Sequence, residues 1–298
     1  MIDLRNIETF YWVATLGGFR RAAQKLNTTQ PAISTRIGQL EQTLNTRLLD
    51  RGTKKVALTP KGIEMLMYAE RLLGLRSEML LAMGDRSSVR GTVRLGTSES
   101  IVHTWLSTLV QRVNATYPRV TLEITVDVTA NLRDFLIEGE LDIALLMGPI
   151  SAPRVRNVTL CEYPLACLAA PGLDLPEGRL TLAQLTSQPI ITFARTTRPY
   201  MQLAELFSRG DLPSARIFTT SSMWSIVRMA MDGIGTCVIP PAVVPDELAG
   251  GRLRRLATEL DELLPPLLFT ASYLDTPDRA IAAVVADIAR DVADAYRH

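Results

Sequence analysis

The chain has 298 residues, of which 47% are hydrophobic and 21% charged, enough for two or three compact units that each bury a core. Its N-terminus does not begin a secretory signal and no apolar run is long enough to span a membrane, so we expect a cytoplasmic protein without membrane contact. The three cysteines lack disulfide or metal-motif spacing, so we interpret them as buried apolar residues and expect no metal or other cofactor.

The net charge of +1 conceals a basic N-terminal segment. Residues 1–62 carry ten Lys or Arg against four Asp or Glu, a net charge of +6, whereas the remainder has a net charge of −5. A small basic unit joined to a mildly acidic body favours a polyanionic partner, although solvated basic faces are also common.

Three short helices are predicted at the start of the chain. The first spans about 4–16, where apolar residues recur at helical spacing, and ends at two glycines. The second spans about 20–26, and a polar turn leads to a third helix that begins near Pro31. The small Ala22 and Ala23 allow the second and third helices to approach closely, which is typical of a helix-turn-helix.

A basic hairpin is predicted to follow. Residues 47–58 read as two short strands around a turn at Gly52, with Arg51, Lys54 and Lys55 clustered at the tip. Such a hairpin beside a recognition helix forms a wing that touches phosphates or the minor groove.

A long helix is predicted from Thr59 to about Met83. Two lines of apolar residues recur along it every seven residues: Met65, Leu72 and Met79, and Leu66, Leu73 and Leu80. This stripe favours a partner helix and hence a dimer, and the alternative is packing against the chain's own body. Residues 84–88 read as a linker.

From Gly91 onward, predicted strands alternate with helices, which indicates open, mostly parallel sheets with helices on both faces and, given the length, two lobes. The strands are expected near 92–96, 120–128, 141–147, 158–170, 190–193, 216–219, 234–239 and 266–273. The helices are expected near 103–116, 131–138, 200–208, 222–232, 241–249 and 278–297.

The N-terminal motifs resemble those of the LysR-type transcriptional regulators. The resemblance covers about sixty residues in the family's order, and the α/β region matches the family's layout by pattern. The segments that carry it are Ile7 to Phe10, Gly18 to Leu26, Thr29 to Ser34, Ile37 to Glu41, Leu48 to Arg51 and Leu58 to Gly62.

The resemblance implies an α/β protein with three parts. Residues 1–58 would form a winged helix-turn-helix and 59–88 a linker and dimerisation helix. Residues 89–298 would form an effector domain like a type II periplasmic binding protein, with lobe I at 89–160 and 269–298 and lobe II at 161–268. It also implies a homotetramer that binds promoter DNA and a small-molecule effector, with RNA polymerase as a further partner.

The DNA contacts are carried over by position from the family. They are expected at Thr29, Gln30, Pro31, Ser34 and Arg36 of the third helix, and at Arg51, Lys54 and Lys55 of the wing. Gln reads adenine edges and Arg reads guanine or clamps a phosphate. Arg51 has a rival role, which is pairing with an acid such as Glu41.

Effector contacts are expected at the carboxyl ends of strands, beside helix N-termini, where open α/β sheets bind ligands. The candidates are Thr97, Ser98, Ser100, Thr129, Met147, Thr192, Phe193 and Ser221. They suit a small organic acid, an amino acid or an aromatic metabolite, and simple helix capping is the alternative for the hydroxyls. Glu99 either points away from this site or indicates a ligand with a cationic or hydroxyl part.

Two other functions are weighed. A solute-binding protein would share the α/β region but needs an export signal and has no use for the basic unit. An enzyme is not expected, because no phosphate-binding loop, nucleophile elbow or HExxH motif is present and His103 and His298 are the two histidines.

Overall fold

A computed structural model describes residues 2–50, 56–83, 89–208, 210, 212–276 and 280–296. The N-terminal unit, here called the head, is a winged helix-turn-helix, as predicted. Its elements are α1 (Leu4–Leu16), α2 (Phe19–Lys25), α3 (Gln30–Thr43) and the antiparallel strands β1 (Leu49–Asp50) and β2 (Ala57–Leu58).

Local chemistry explains the ends of the head's helices. The Asp3 side chain accepts a hydrogen bond from the backbone N–H of Arg5 at 2.9 Å, and Gly17 ends α1 in the left-handed region at φ 66°. The Thr29 hydroxyl caps α3 by accepting from the N–H of Ala32 at 3.4 Å. Ala22 and Ala23 are buried, as the predicted close helix packing requires.

The long helix α4 (Pro60–Met83) is anchored to the wing at its start. The Thr59 hydroxyl donates to the carbonyl of Arg47 at 2.8 Å and accepts from the N–H of Gly62 at 3.0 Å. A Cβ on Gly62 would lie 2.1 Å from the carbonyl oxygen of Leu48, so this position requires glycine.

Part of the predicted apolar stripe of α4 is buried against the head, and part is exposed. Leu73 is buried against the head, where Met65 and Leu66 also pack, so packing against the chain's own body accounts for this part. Leu72 and Met79 are exposed. The side chain of Leu80 lies outside the described residues.

Lobe I is built on a five-stranded sheet in the order β4-β3-β5-β12-β6. Helices cover both faces of this sheet. Helix α7 packs on one face with its own apolar cluster, and α6 and α13 pack on the other. The elements of lobe I are β3 (Arg90–Thr97), α5 (Glu99–Val102), α6 (Leu106–Thr116), β4 (Arg119–Val126), α7 (Thr129–Ile137), β5 (Ile143–Met147), β6 (Val155–Tyr163), β12 (Leu267–Leu274) and α13 (Ala280–Tyr296).

Lobe II is built on a second five-stranded sheet in the order β11-β7-β10-β8-β9. A 3-10 turn at Pro241–Val243 precedes α11. The elements of lobe II are β7 (Ala166–Ala169), α8 (Leu182–Leu185), β8 (Ile190–Phe193), α9 (Arg198–Phe207), β9 (Ile217–Thr220), α10 (Met223–Met231), β10 (Thr236–Ile239), α11 (Pro245–Ala249), β11 (Arg254–Leu256) and α12 (Leu260–Leu263).

In each sheet four strands run in one direction and one runs against them, so the sheets are mostly parallel, as predicted, but each contains one antiparallel strand. In lobe I, β12 runs antiparallel to β5 and β6, and in lobe II, β7 runs antiparallel to β10 and β11. The predicted single strand at 158–170 is two strands in different sheets, because the chain crosses from lobe I to lobe II between Tyr163 and Ala166. It returns between α12 and β12.

The head lies against the edge of lobe I through charged contacts. The carboxylate of Asp142 accepts from Lys25 Nζ of α2 at 2.8 Å and from Arg94 Nη2 of β3 at 2.7 Å. Arg154 of lobe I also pairs with Glu70 of α4 at 2.7 Å and donates to the Tyr11 hydroxyl at 3.1 Å. Two ion pairs, Lys25–Asp142 and Glu70–Arg154, and the hydrogen bond of Tyr11 therefore join α2, α4 and α1 to lobe I.

Candidate functional site

The first turns of α3 present polar side chains to solvent. Gln30, Pro31 and Ser34 are exposed, Arg36 is half-buried, and Thr29 is both exposed and the helix cap. The opposite face of α3 is buried in the head. The five residues predicted on this helix therefore share one accessible end of it, which is the part of a recognition helix that enters a major groove.

The predicted contacts of the wing lie outside the described residues. Arg51, Lys54 and Lys55 belong to the segment 51–55, so neither their DNA contact nor the rival pairing of Arg51 is tested. The strand before them is held by α3, because Glu41 Oε1 accepts from the backbone N–H groups of Leu48 and Leu49 at 2.8 and 3.1 Å.

A cavity of about 500 Å³ lies between the two lobes. Six of the eight predicted effector residues line it: Ser98, Ser100, Thr129, Met147, Phe193 and Ser221. They come from the ends of β3, β5 and β8, from the first residues of α5 and α7, and from the loop before α10. The carboxyl ends of strands in two different sheets therefore converge on one cleft.

Thr97 and Thr192 are not among the lining residues, and we leave them out of the contact set. Both are fully buried, and their hydroxyls donate to backbone carbonyls, that of Thr97 to Ser98 at 3.4 Å and that of Thr192 to Val238 at 3.1 Å. Side chains alternate along a strand, so these two point into the lobes while their neighbours face the cleft.

The cleft also contains charged and apolar residues outside the predicted contact set. Its acids are Glu99 and Asp127, and its bases are Arg133 and Arg198. Glu99 and Arg198 lie shortly after the ends of β3 and β8, and such a position can be recognised from the sequence. Arg195, in the loop between β8 and α9, is exposed and is not among the lining residues. Apolar side chains complete the wall, namely Met201, Leu267 and Phe269 beside Phe193.

Glu99 faces the cleft and bridges the lobes. One carboxylate oxygen, Oε2, accepts a hydrogen bond from the backbone N–H of Met223. Glu99 begins α5 in lobe I and Met223 begins α10 in lobe II, 124 residues apart. The side chain therefore fills the N-terminal end of a lobe II helix with a carboxylate from lobe I.

The three cysteines are buried, as interpreted from the sequence, and none of them is in a disulfide. Burial raises the pKa of the Cys167 thiol to about 12 and raises that of Cys237 further. At pH 8 the thiolate, which is the reactive form, is then about three orders of magnitude scarcer at Cys167 than at a free cysteine.

We therefore expect an aromatic disulfide reagent at pH 8 to label no thiol of the native protein within an hour and three thiols after unfolding in urea. Exposed cysteine introduced at Ser208 serves as the matched control and should react within minutes. Rapid stoichiometric labelling of the native wild type would contradict the inert role of these cysteines.

Within the described part of the chain, no group of three or more His, Cys, Asp or Glu side chains is placed to hold a metal ion. In the same residues, no helix is long and apolar enough to cross a membrane. His103 ends the short helix α5 and is exposed on the surface of lobe I.

Comparison with known families matches both parts of the chain. The model described as "Bacterial regulatory helix-turn-helix protein, lysR family" matches residues 4–63, and that described as "LysR substrate binding domain" matches residues 86–292. Among curated proteins, the HTH-type transcriptional regulator GltR of Bacillus subtilis is 23% identical over 85% of this chain and 84% of its own length.

Solved structures share the fold over nearly the whole chain. Full-length OxyR from Pseudomonas aeruginosa matches with a TM-score of 0.61 and 22% identity, covering 97% of this chain and 95% of its own. Full-length LysG from Corynebacterium glutamicum, with bound effector Arg, matches with a TM-score of 0.55 and 19% identity, covering 98% of each chain.

Proposed function

This chain belongs to the LysR family of transcriptional regulators, and from that premise we propose that α3 reads an operator while a small molecule in the cleft controls the outcome. The protein is a DNA-binding transcriptional regulator with an effector-binding domain, and it is not an enzyme. The observation that carries the proposal is the pairing of an exposed recognition-helix end with a cleft of about 500 Å³ between two lobes.

Base reading is assigned to the exposed end of α3. Gln30 and Arg36 are proposed to read base edges, while Ser34 and the helix N-terminus at Thr29 and Pro31 position the phosphate backbone. Arg51, Lys54 and Lys55 of the wing are proposed to contact phosphates or the minor groove.

Replacing Arg36 by alanine should weaken binding to the operator about 10- to 100-fold, since one good base contact is worth about 1–3 kcal/mol. The measurement is a gel-shift titration at two salt concentrations, with genomic fragments selected by wild-type binding and random DNA for comparison. Arg112→Ala, at an exposed arginine of lobe I, is the matched control and should bind as wild type does. Equal affinities of the Arg36 and Arg112 variants would remove Arg36 from the interface.

The cleft is proposed to bind a small organic acid, an amino acid or an aromatic metabolite. Ser98, Ser100, Thr129 and Ser221 would supply hydroxyl contacts, and Met147 and Phe193 apolar ones. The related LysG structure holds bound Arg, which is an amino acid. A thermal-shift screen with these three classes tests the proposal, and stabilisation by none of them would count against it.

Assembly and location complete the proposal. Members of the family oligomerise, and here α4 is proposed to form the dimer contact within a homotetramer. A regulator of chromosomal promoters would act in the cytoplasm, and RNA polymerase stays a predicted partner. A solute-binding protein of the same α/β architecture would bind ligand without binding DNA, so the gel shift also separates these two functions.

A further inference from the structure

We propose that Glu99 determines the chemical class of the effector. Its carboxylate occupies the N-terminal end of α10, so a bound effector presents an ammonium group to Glu99 instead of placing a carboxylate at that helix end. The inference rests on the proposed function of the cleft as the effector site, and it narrows the three ligand classes to compounds that carry an ammonium group.

The N-terminal end of α10 is already supplied with acceptors by the chain itself. The N–H of Met223 donates to Glu99, and that of Ser225 donates to the Ser222 hydroxyl at 3.4 Å. The N–H of Ser222 donates to the Thr220 hydroxyl at 3.2 Å. The positive end of this nine-residue helix favours negative charge, and the Glu99 carboxylate provides it.

A ligand carboxylate at this position would therefore have to displace Glu99. The displaced Glu99 side chain would lose its hydrogen bond to the Met223 N–H. It would also remain close to a second negative charge at the N-terminal end of α10. Two carboxylates that share one site repel each other, and one of them must then bind a proton to be accommodated. A simple carboxylic acid is thus a poor ligand for this end of the cleft.

Unused acceptors beside the helix end point to a donor on the ligand. Within the described residues, the second carboxylate oxygen of Glu99 has no hydrogen bond, and the Ser98 hydroxyl oxygen is buried without a partner. Both residues line the cleft. An ammonium group has three N–H donors and a positive charge, so it suits a carboxylate that has an unused oxygen.

The opposite wall supplies the complementary charge. Arg198 lines the cleft at the start of α9, and it is exposed. Arg133, by contrast, is paired with Asp134 at 2.8 Å. A zwitterion with its ammonium group at Glu99 and its carboxylate towards Arg198 would match the charges of both lobes, whereas a lone carboxylate would match one lobe.

Acetate tests the assignment of Glu99 without knowledge of the effector. In the full-length Glu99→Ala protein the end of α10 loses its carboxylate, and 100 mM sodium acetate should raise Tm by about 2–4 °C over equal sodium chloride. Wild type and Glu138→Ala, at an exposed glutamate of α7's C-terminal end, should show no such difference. An equal acetate response in wild type, or none in Glu99→Ala, would overturn the assignment.

A panel of matched ligands tests the specificity. It contains each amino acid, the amine that lacks its carboxylate and the acid that lacks its ammonium group, measured against wild type and Glu99→Gln. Ligands of wild type should carry the ammonium group and bind at least tenfold more tightly than the matching acids, and Glu99→Gln should reduce that ratio to near one.

The panel tests two claims separately, the specificity conferred by Glu99 and the ligand class of the cleft. Acids that bind wild type as tightly as their ammonium partners, or an unchanged ratio in Glu99→Gln, would overturn the specificity while leaving the cleft as the effector site. Binding of no panel member would overturn the ligand class and the proposed effector together. Operator binding by the wild-type protein in the gel shift tests the proposed DNA-binding function separately from the ligand class.

Discussion

Replacing Leu75 by glutamate on the exposed face of α4 should convert the protein to monomers and lower its operator affinity at least a hundredfold. Leu75 is 65% exposed, and Met67, Leu72 and Met79 on the same helix are also exposed. Burying each leucine in a dimer contributes about 1.5–3 kcal/mol, and a two-fold axis makes each substitution count twice. The expected loss is therefore about 3–6 kcal/mol of dimerisation free energy.

Sedimentation velocity at micromolar concentration measures the association, and the gel shift measures the operator affinity. Leu75→Met is the matched control, because it keeps an apolar side chain of similar volume and should remain associated. The thermal stability of the Leu75→Glu protomer should change little, since the Leu75 side chain is mostly exposed within its own chain. A Leu75→Glu protein that remains a dimer or tetramer with unchanged affinity would exclude α4 as the dimer contact.

The division of α4 shows what a heptad pattern predicts and what it does not. The spacing identifies an apolar stripe, but it does not reveal which side of the stripe meets the head. Leu73 is buried against the head, and the close approach of Gly62 to the Leu48 carbonyl holds the start of α4 against the wing. That contact joins residues fourteen positions apart, so a heptad pattern within α4 alone does not reveal that Leu72 and Leu75 are exposed.

The head could be predicted closely because its signals are local. Asp3, Gly17 and Thr29 act on backbone groups within a few residues of themselves, so the bounds of α1 and α3 follow from the sequence. The mixed sheets could not be predicted in this way. The direction of β12 depends on the return of the chain from lobe II, which no short window of sequence contains.

The cleft was predicted in part, for a related reason. Residues that follow a strand end, such as Ser98 and Ser221, can be placed at the edge of a sheet from the sequence alone. The distinction between Thr97 and Ser98 requires the exact end of β3, because one residue of shift exchanges the inward and outward faces. The orientation of the Glu99 side chain depends on Met223 in the other lobe, so the sequence around Glu99 does not determine it.

Asp142→Asn should lower the free energy of unfolding by about 2 kcal/mol at pH 7, because it removes a carboxylate from between two cations. Burial alone would raise the pKa of Asp142, but the hydrogen bonds from Arg94 and the charge of Lys25 outweigh burial and lower the pKa to about 2. The same carboxyl in the unfolded chain has a pKa of about 3.9. The charged form is thus favoured by folding.

The sign of the pH dependence follows from these two pKa values. A carboxyl whose pKa is lowered by folding contributes its full stabilisation above the unfolded value, near pH 4, and loses it as the pH falls through about 2. Urea unfolding at pH 7 and pH 3 measures the difference between wild type and Asp142→Asn, which should shrink by about half at the lower pH.

Asp134→Asn is the matched control for the ion-pair network, because the Arg133–Asp134 pair is more than half exposed and such pairs contribute little. Its stability should differ from that of wild type by less than about 0.5 kcal/mol at both pH values. Equal losses of unfolding free energy in Asp142→Asn and Asp134→Asn would contradict the stabilising role of the Asp142 ion pairs. A loss in Asp142→Asn that does not change with pH would contradict it as well. Asp142 directly precedes β5, and β5 ends at Met147, which lines the cleft. One strand therefore connects the ion pairs of Asp142 with the proposed effector site.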